Sequence, residues 1–177
     1  MSPMFVPGPV DVAPEVLAAQ TKPMLPHRSK DFEAIFKSTE ERLKKVFFTE
    51  QPVYQISASG SGMQEGGIRN FVQESVLSCL NGAFADRWYK VAVANGKQAD
   101  KVEAPWGQPI TAEMVADALK KKHYEAITVV HNETSTGVES PIKAISEAVH
   151  QVSPDTLIFL CAFGLFFQAG QARFQFA

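Results

Sequence analysis

A chain of 177 residues with 45% hydrophobic and 20% charged residues has ordinary globular composition and is long enough to bury one core. Its 17 Lys and Arg against 19 Asp and Glu give a formal charge of -2, without the clustered cationic footprint that nucleic acid or an anionic membrane requires, so neither is an expected partner. Cys79 and Cys161 have neither CxxC nor Cys/His ligand spacing, so no disulfide framework and no metal is expected, and "MSPMFVPGPV" lacks the pattern of a secretory leader, leaving the cytoplasm as the expected compartment.

In chain order, Asp11 ahead of Pro14 predicts a short opening helix, broken at "PMLPHRS". From Asp31 to Phe48 the apolar residues Phe32, Ile35, Phe36, Leu43, Val46 and Phe47 recur every three or four positions, which predicts an amphipathic helix with its apolar face in the core. "VYQISAS" (53–59) reads as a strand, "SGSGM" as a turn and "MQEGGIRNFVQ" as a helix carrying two costly glycines. A strand over 75–80 follows, then a helix after "NG" that stops at Gly96, and a weak strand at 99–104. Thr111 is a good N-cap for a helix that has acids early and lysines late. "EAITVVHN" reads as a buried strand, Pro141 opens another helix, and "DTLIFLCAF" is a last apolar strand.

Strands alternating with helices give an α/β fold with a mainly parallel sheet covered on both faces. Ligands of such sheets sit beyond the carboxyl ends of the strands, which selects the loops 59–64, 81–87 and 131–137. Ser59-Gly60-Ser61-Gly62-Met63 suits an anion, although it has neither the Walker pattern nor the third glycine of the dinucleotide fingerprint, and it reads equally as a tight turn. Phe84 follows a strand end and either stacks on a planar ring or plugs the core. His131, Asn132, Glu133, Thr134 and Ser135 crowd hydrogen-bonding groups at a third strand end, and no further ligand lies at a spacing that would make His131 and Glu133 a metal site.

Taken in order, "FVPGPV", "APEVLAA", "PHRS", "SGSG" followed by Glu65, "NGAFADRW", "APWGQP" and above all "VVHNETSTGVESP" resemble the class V pyridoxal-phosphate-dependent aminotransferases. The resemblance, from about Phe5 to Phe159, is to the alanine-glyoxylate or serine-glyoxylate (serine-pyruvate) group. It implies part of a fold-type-I large domain over 23–160, preceded by an N-terminal segment over 1–22 that reaches the dimer interface. It also implies transfer of an amino group from alanine or serine to glyoxylate or another 2-oxo acid, by a homodimer carrying pyridoxal 5'-phosphate (PLP). Ser61, Gly62 and the backbone of Met63 would hold the phosphate, Phe84 would stack on the ring and Thr134 would hydrogen-bond near the ring hydroxyl. Gly8 and Pro9, with His27 and Arg28, would approach the substrate side.

Two departures from the family pattern stand out. Cys161 falls where the family has an aspartate opposite the pyridinium nitrogen, and a thiol is a poor substitute for that carboxylate. The family's Schiff-base lysine lies further downstream than Ala177, and Lys90, Lys97 and Lys120 to Lys122 sit on helices or their ends. From Thr156 onward the chain holds six of its 13 phenylalanines and a single charge, Arg173, so residues 161–177 read as a non-family tail of frameshift or gene-end origin. The expectation is a truncated chain with no catalytic residue of its own and weak or absent PLP binding, the alternative being a noncatalytic phosphate-binding or interaction fragment.

Overall fold

A computed structural model describes residues 4, 6, 8 and 10–162, in two compact units that part between Ile56 and Ser57. Pro9 and the tail beyond Ala162 lie outside the described residues.

In the first unit, α1 (Pro14–Ala19) begins with proline at its first position, where a missing N–H costs nothing. Asp11 does not cap it; its carboxylate accepts the Met4 N–H at 3.1 Å, and Ala13 is the N-cap. His27 and Arg28 lie in the exposed turn ahead of α2, and Gly8 is also exposed. Helix α2 (Lys30–Phe47) is capped by Ser29, whose hydroxyl accepts the Phe32 N–H at 3.2 Å. The expected core role of α2 is not met: none of its residues is buried, and Ile35 and Phe36 are 55% and 41% exposed, because periodicity defines an apolar face without supplying anything to cover it. The strand expected at 53–59 is also absent, since no neighbour pairs with it among the described residues and alternation alone does not satisfy backbone N–H and C=O groups.

The second unit is built on a parallel sheet in the order β2-β1-β3-β6, from β1 (Ser75–Leu80), β2 (Gln98–Glu103), β3 (Ala126–Val130) and β6 (Leu157–Cys161). Helices α3 (Gly60–Phe71) and α4 (Ala83–Ala94) enclose Ile68, Val76, Trp88, Ala126 and Val130 on one face. On the other, α5 (Ala112–Lys121) and α6 (Ile142–Val152) enclose Leu77, Val115, Ile127, Val129 and Ile145. Adjacent residues of β1 and β3 thus serve opposite cores, and burial on both faces is why these strands read as apolar runs. Between β3 and α6 a short antiparallel hairpin, β4 (Asn132–Glu133) with β5 (Val138–Glu139), replaces the expected loop.

Local chemistry explains the boundaries. Helix α4 ends where Gly96 takes the left-handed φ of 72°, and Thr111 caps α5 by accepting the Met114 N–H at 3.3 Å. Gly67 of α3 faces the Phe159 and Trp88 rings, which stack with centroids 5.8 Å apart; a Cβ there would make ordinary contacts at 3.8 and 3.9 Å, so packing does not require glycine at this position. No helix among the described residues is long and apolar enough to cross a membrane.

Glu125, just before β3, ties two strands together at their amino ends. Its Oε2 accepts the N–H groups of Gln73, Glu74 and Ser75 at 2.7, 2.8 and 3.3 Å. These bonds, that of Glu74 foremost, hold the carboxyl below its ordinary range. The folded state therefore binds the proton less readily than the unfolded chain, whose glutamates titrate near ~4.3. The stabilisation is complete above that value and is lost as the pH falls through the lower folded-state value. Glu125→Gln is expected to flatten the acid limb of the stability profile, checked by urea midpoints from neutral pH downward; an unchanged acid limb would remove this role.

Candidate functional site

Helix α3 leads through Val72 into the start of β1, so it runs opposite to the strands and its amino end lies at their carboxyl side. Helix α4 starts at that same side, with two residues between it and the end of β1. Two helix amino ends, each with N–H groups that lack intrahelical acceptors, thus open on one rim of the sheet. They are equipped differently.

At α4 the open donors are met from within the protein. The N-cap, Gly82, has no side chain, and three consecutive N–H groups are satisfied by the β4–β5 hairpin instead. Ala83 donates to Ser135 Oγ at 2.9 Å, while Phe84 and Ala85 donate to Glu133 Oε2 at 3.1 and 2.9 Å. The other carboxylate oxygen accepts both the Ser135 N–H at 3.1 Å and its O–H at 2.6 Å. Glu133 is fully buried, so its carboxylate is an internal anion set on the positive end of α4. Such close approach needs glycine at 82: a Cβ there would overlap the Glu133 side chain and lie 2.6 Å from Ser135 Oγ.

The hairpin is itself anchored. Thr136 and Gly137 donate their N–H groups to the Glu133 carbonyl at 3.1 and 2.9 Å, and the Thr136 hydroxyl reaches the Asn81 carbonyl at 3.3 Å. Asn81 Nδ2 donates to Ser140 Oγ at 3.2 Å, and the His131 N–H donates to the Cys161 carbonyl at 2.9 Å, tying the hairpin to the end of β6. Thr134 is half-buried between Glu133 and Ser135, the two residues that accept from the first N–H groups of α4.

At α3 no carboxylate is present: its first turn has no acidic residue. The helix starts at Gly60, three residues earlier than the expected Met63, because Ser59 caps it; the Ser59 hydroxyl accepts the Gly62 N–H at 3.2 Å and its carbonyl accepts the Met63 N–H at 3.2 Å. The Met63 N–H is therefore within the helix, and the Gly60 and Ser61 N–H groups are the outward donors of the first turn. Ser61 Oγ accepts from Arg87 Nη1 at 2.9 Å, which joins the first turn of α3 to the second turn of α4. Ser61, Ala83, Asp86, Arg87, Lys90 and Val91 line an open cleft of about 440 Å³ there. Met63 and Phe84 are 45% and 39% exposed, and Phe84 is held through its backbone N–H by Glu133.

Structure thus gathers Ser61, Gly62, Phe84 and Thr134 around the amino ends of α3 and α4. Gly8, His27 and Arg28 belong to the other unit. Arg87 and Gly82 were overlooked in the sequence, although both stand in "NGAFADRW"; the signal was an arginine one helical turn beyond the aromatic and a glycine immediately before a helix that has no capping side chain.

No known family profile matches the chain. An uncharacterized aminotransferase from Methanocaldococcus jannaschii is 39% identical over 149 residues, covering 82% of this chain and 39% of the relative. A serine–glyoxylate aminotransferase from Methylorubrum extorquens is 35% identical over 163 residues, covering 89% of this chain and 40% of the relative. Among solved structures, an alanine–glyoxylate aminotransferase from Nostoc sp. superposes with a TM-score of 0.82 at 28% identity, over 88% of this chain and 41% of that one. The chain spans about two fifths of the length of the curated relatives it matches. Agreement in sequence and in fold over most of its residues makes this chain a member of the class V pyridoxal-phosphate-dependent aminotransferases, related to the alanine- and serine-glyoxylate group.

Proposed function

We propose that this chain supplies the PLP grip of an enzyme that transfers an amino group from alanine or serine to glyoxylate or a related 2-oxo acid, as a cytoplasmic homodimer. The observation that carries the reading is the contrast between the two helix amino ends: α4 already holds a carboxylate, and α3 presents only donors. A phosphate dianion fits the second and is repelled by the first. Relatives named serine–glyoxylate and L-aspartate–glyoxylate aminotransferase support glyoxylate as acceptor.

Bound PLP supplies an electron sink for a substrate carbanion. The residues of this chain do the holding. Ser61 Oγ and the Gly60 and Ser61 N–H groups would hold the phosphate, with Gly62 allowing close backbone approach. Phe84 would stack on the ring, and Thr134 would offer its hydroxyl near the ring hydroxyl. Cys161, at the end of β6, provides no fixed negative charge for the ring nitrogen, so the electronic tuning is weak.

Four of the lysines are engaged elsewhere among the described residues. Lys90 pairs with Asp86 at 2.5 Å, Lys97 donates to the Gln73 carbonyl at 3.1 Å, and Lys120 and Lys122 pair with Asp117 and Asp100 at 3.0 and 2.7 Å. The proposal for the 177-residue chain alone is reversible PLP binding without transamination. Calorimetric titration checks this. Saturable binding of PLP that is weakened about tenfold by Ser61→Ala is the expected result. Borohydride trapping on one of these lysines would revise the role of the chain, and equal binding of unrelated phosphates would favour a noncatalytic phosphate-binding module.

A further inference from the structure

We propose that Arg87 is a phosphate-binding residue of this site: a guanidinium that holds Ser61 with one N–H group and offers its remaining N–H groups to the phosphate. The inference rests on the PLP reading above and extends it to a residue outside the Ser/Gly turn.

Charge accounting around the cleft carries the proposal. Its lining contains two cations and one anion. Lys90 is matched by Asp86 at 2.5 Å, one turn away on α4. The nearest acid on α3, Glu65, faces Arg69 at 3.1 Å. Arg87 has no carboxylate within ion-pair distance among the described residues, and its recorded partner is the neutral Ser61 hydroxyl at 2.9 Å. A guanidinium has five donors, and one bond to a hydroxyl leaves most of them available. An arginine left without a counter-ion beside a helix amino end that also lacks an acid creates a local excess of positive charge.

Geometry adds a second argument. Ser61 Oγ accepts from Arg87, so the hydroxyl proton is free to be donated outward to a phosphate oxygen. The guanidinium reaches from α4 to α3 and thereby fixes the serine rotamer across a helix–helix gap, reducing the ordering required on binding. Arginine suits this role better than lysine because its planar fork serves the serine and a phosphate oxygen together. Pyridoxal, which has the ring without the phosphate, has no use for the group.

The test compares PLP, pyridoxal and inorganic phosphate on the 177-residue chain by calorimetry, for wild type, Arg87→Ala, Arg87→Lys and Phe84→Ala. Arg87→Ala is expected to weaken PLP about tenfold or more and leave pyridoxal within about twofold, with Arg87→Lys intermediate. Loss of stabilisation by inorganic phosphate in a thermal-shift assay of Arg87→Ala is the matching readout. Phe84→Ala is expected to weaken PLP and pyridoxal alike. If Phe84→Ala weakens PLP and Arg87→Ala does not, the role of Arg87 is overturned and the cofactor reading stands. If wild type binds neither PLP nor phosphate, both are overturned. Far-UV circular dichroism of each variant separates lost binding from lost fold.

Discussion

Replacing Glu133 with alanine is expected to lower the unfolding free energy by about 2–4 kcal/mol, the largest effect of any single change at the site. The reason lies in what the carboxylate leaves behind. Phe84 and Ala85 would keep buried or half-buried N–H groups with no acceptor, and Ser135 would lose the partner of both its N–H and its O–H. The side chain is fully buried, so water does not readily replace it. Glu133→Gln keeps the volume but turns one acceptor into an NH₂ group facing donors, and is expected to recover only part of the loss. Urea denaturation followed by tryptophan fluorescence reads both variants. A change under about 0.5 kcal/mol for the alanine variant would mean that α4 is not anchored this way.

Gly82→Ala is expected to cost about 1–3 kcal/mol, for a reason of shape rather than charge. A methyl group at 82 overlaps the Glu133 side chain, which cannot retreat without giving up its bonds to α4. The two positions are therefore coupled. In a Glu133→Ala background the overlap with Glu133 is gone and only the close approach to Ser135 Oγ remains, so Gly82→Ala should cost about 1 kcal/mol less than it does in the native background. Additive losses in the double-mutant cycle would show that glycine at 82 serves something other than Glu133. Both substitutions also displace the backbone that carries Phe84, so PLP affinity should fall with stability at this position.

The sheet was largely legible in the sequence because its signals are local. Strand β1 matches the expected 75–80, and α5 follows Thr111 as its cap predicts, since an apolar run between turns and a capped amphipathic stretch leave few alternatives. What local pattern cannot supply is a partner. "VYQISAS" alternates as a strand should, yet nothing among the described residues pairs with it, and α2 presents an apolar stripe without a core beneath it. The site divides along the same line. Ser61, Phe84 and Thr134 were found through strand-end position and family resemblance. The meaning of Glu133 depended on knowing that a turn 48 residues away in sequence sets its carboxylate on the Ala85 N–H. A short polar run reads as a dense hydrogen-bonding loop, and only the fold reveals it as the cap of another helix. Arg87 was hidden for a similar reason: an arginine on an amphipathic helix reads as solvated, and its link to Ser61 spans 26 residues.

The proposed site would hold the PLP phosphate on the first turn of α3 and the ring against Phe84 and Thr134. Amide-resolved NMR titration of the isotopically labelled chain with PLP measures this directly. Saturable shifts concentrated at Gly60, Ser61, Gly62, Phe84, Arg87 and Thr134 are expected, with Glu133 and Ala85 little changed because their mutual bond is already made. Saturable shifts centred on α5, α6 or the exposed face of α2, with the amino end of α3 silent, would contradict this placement.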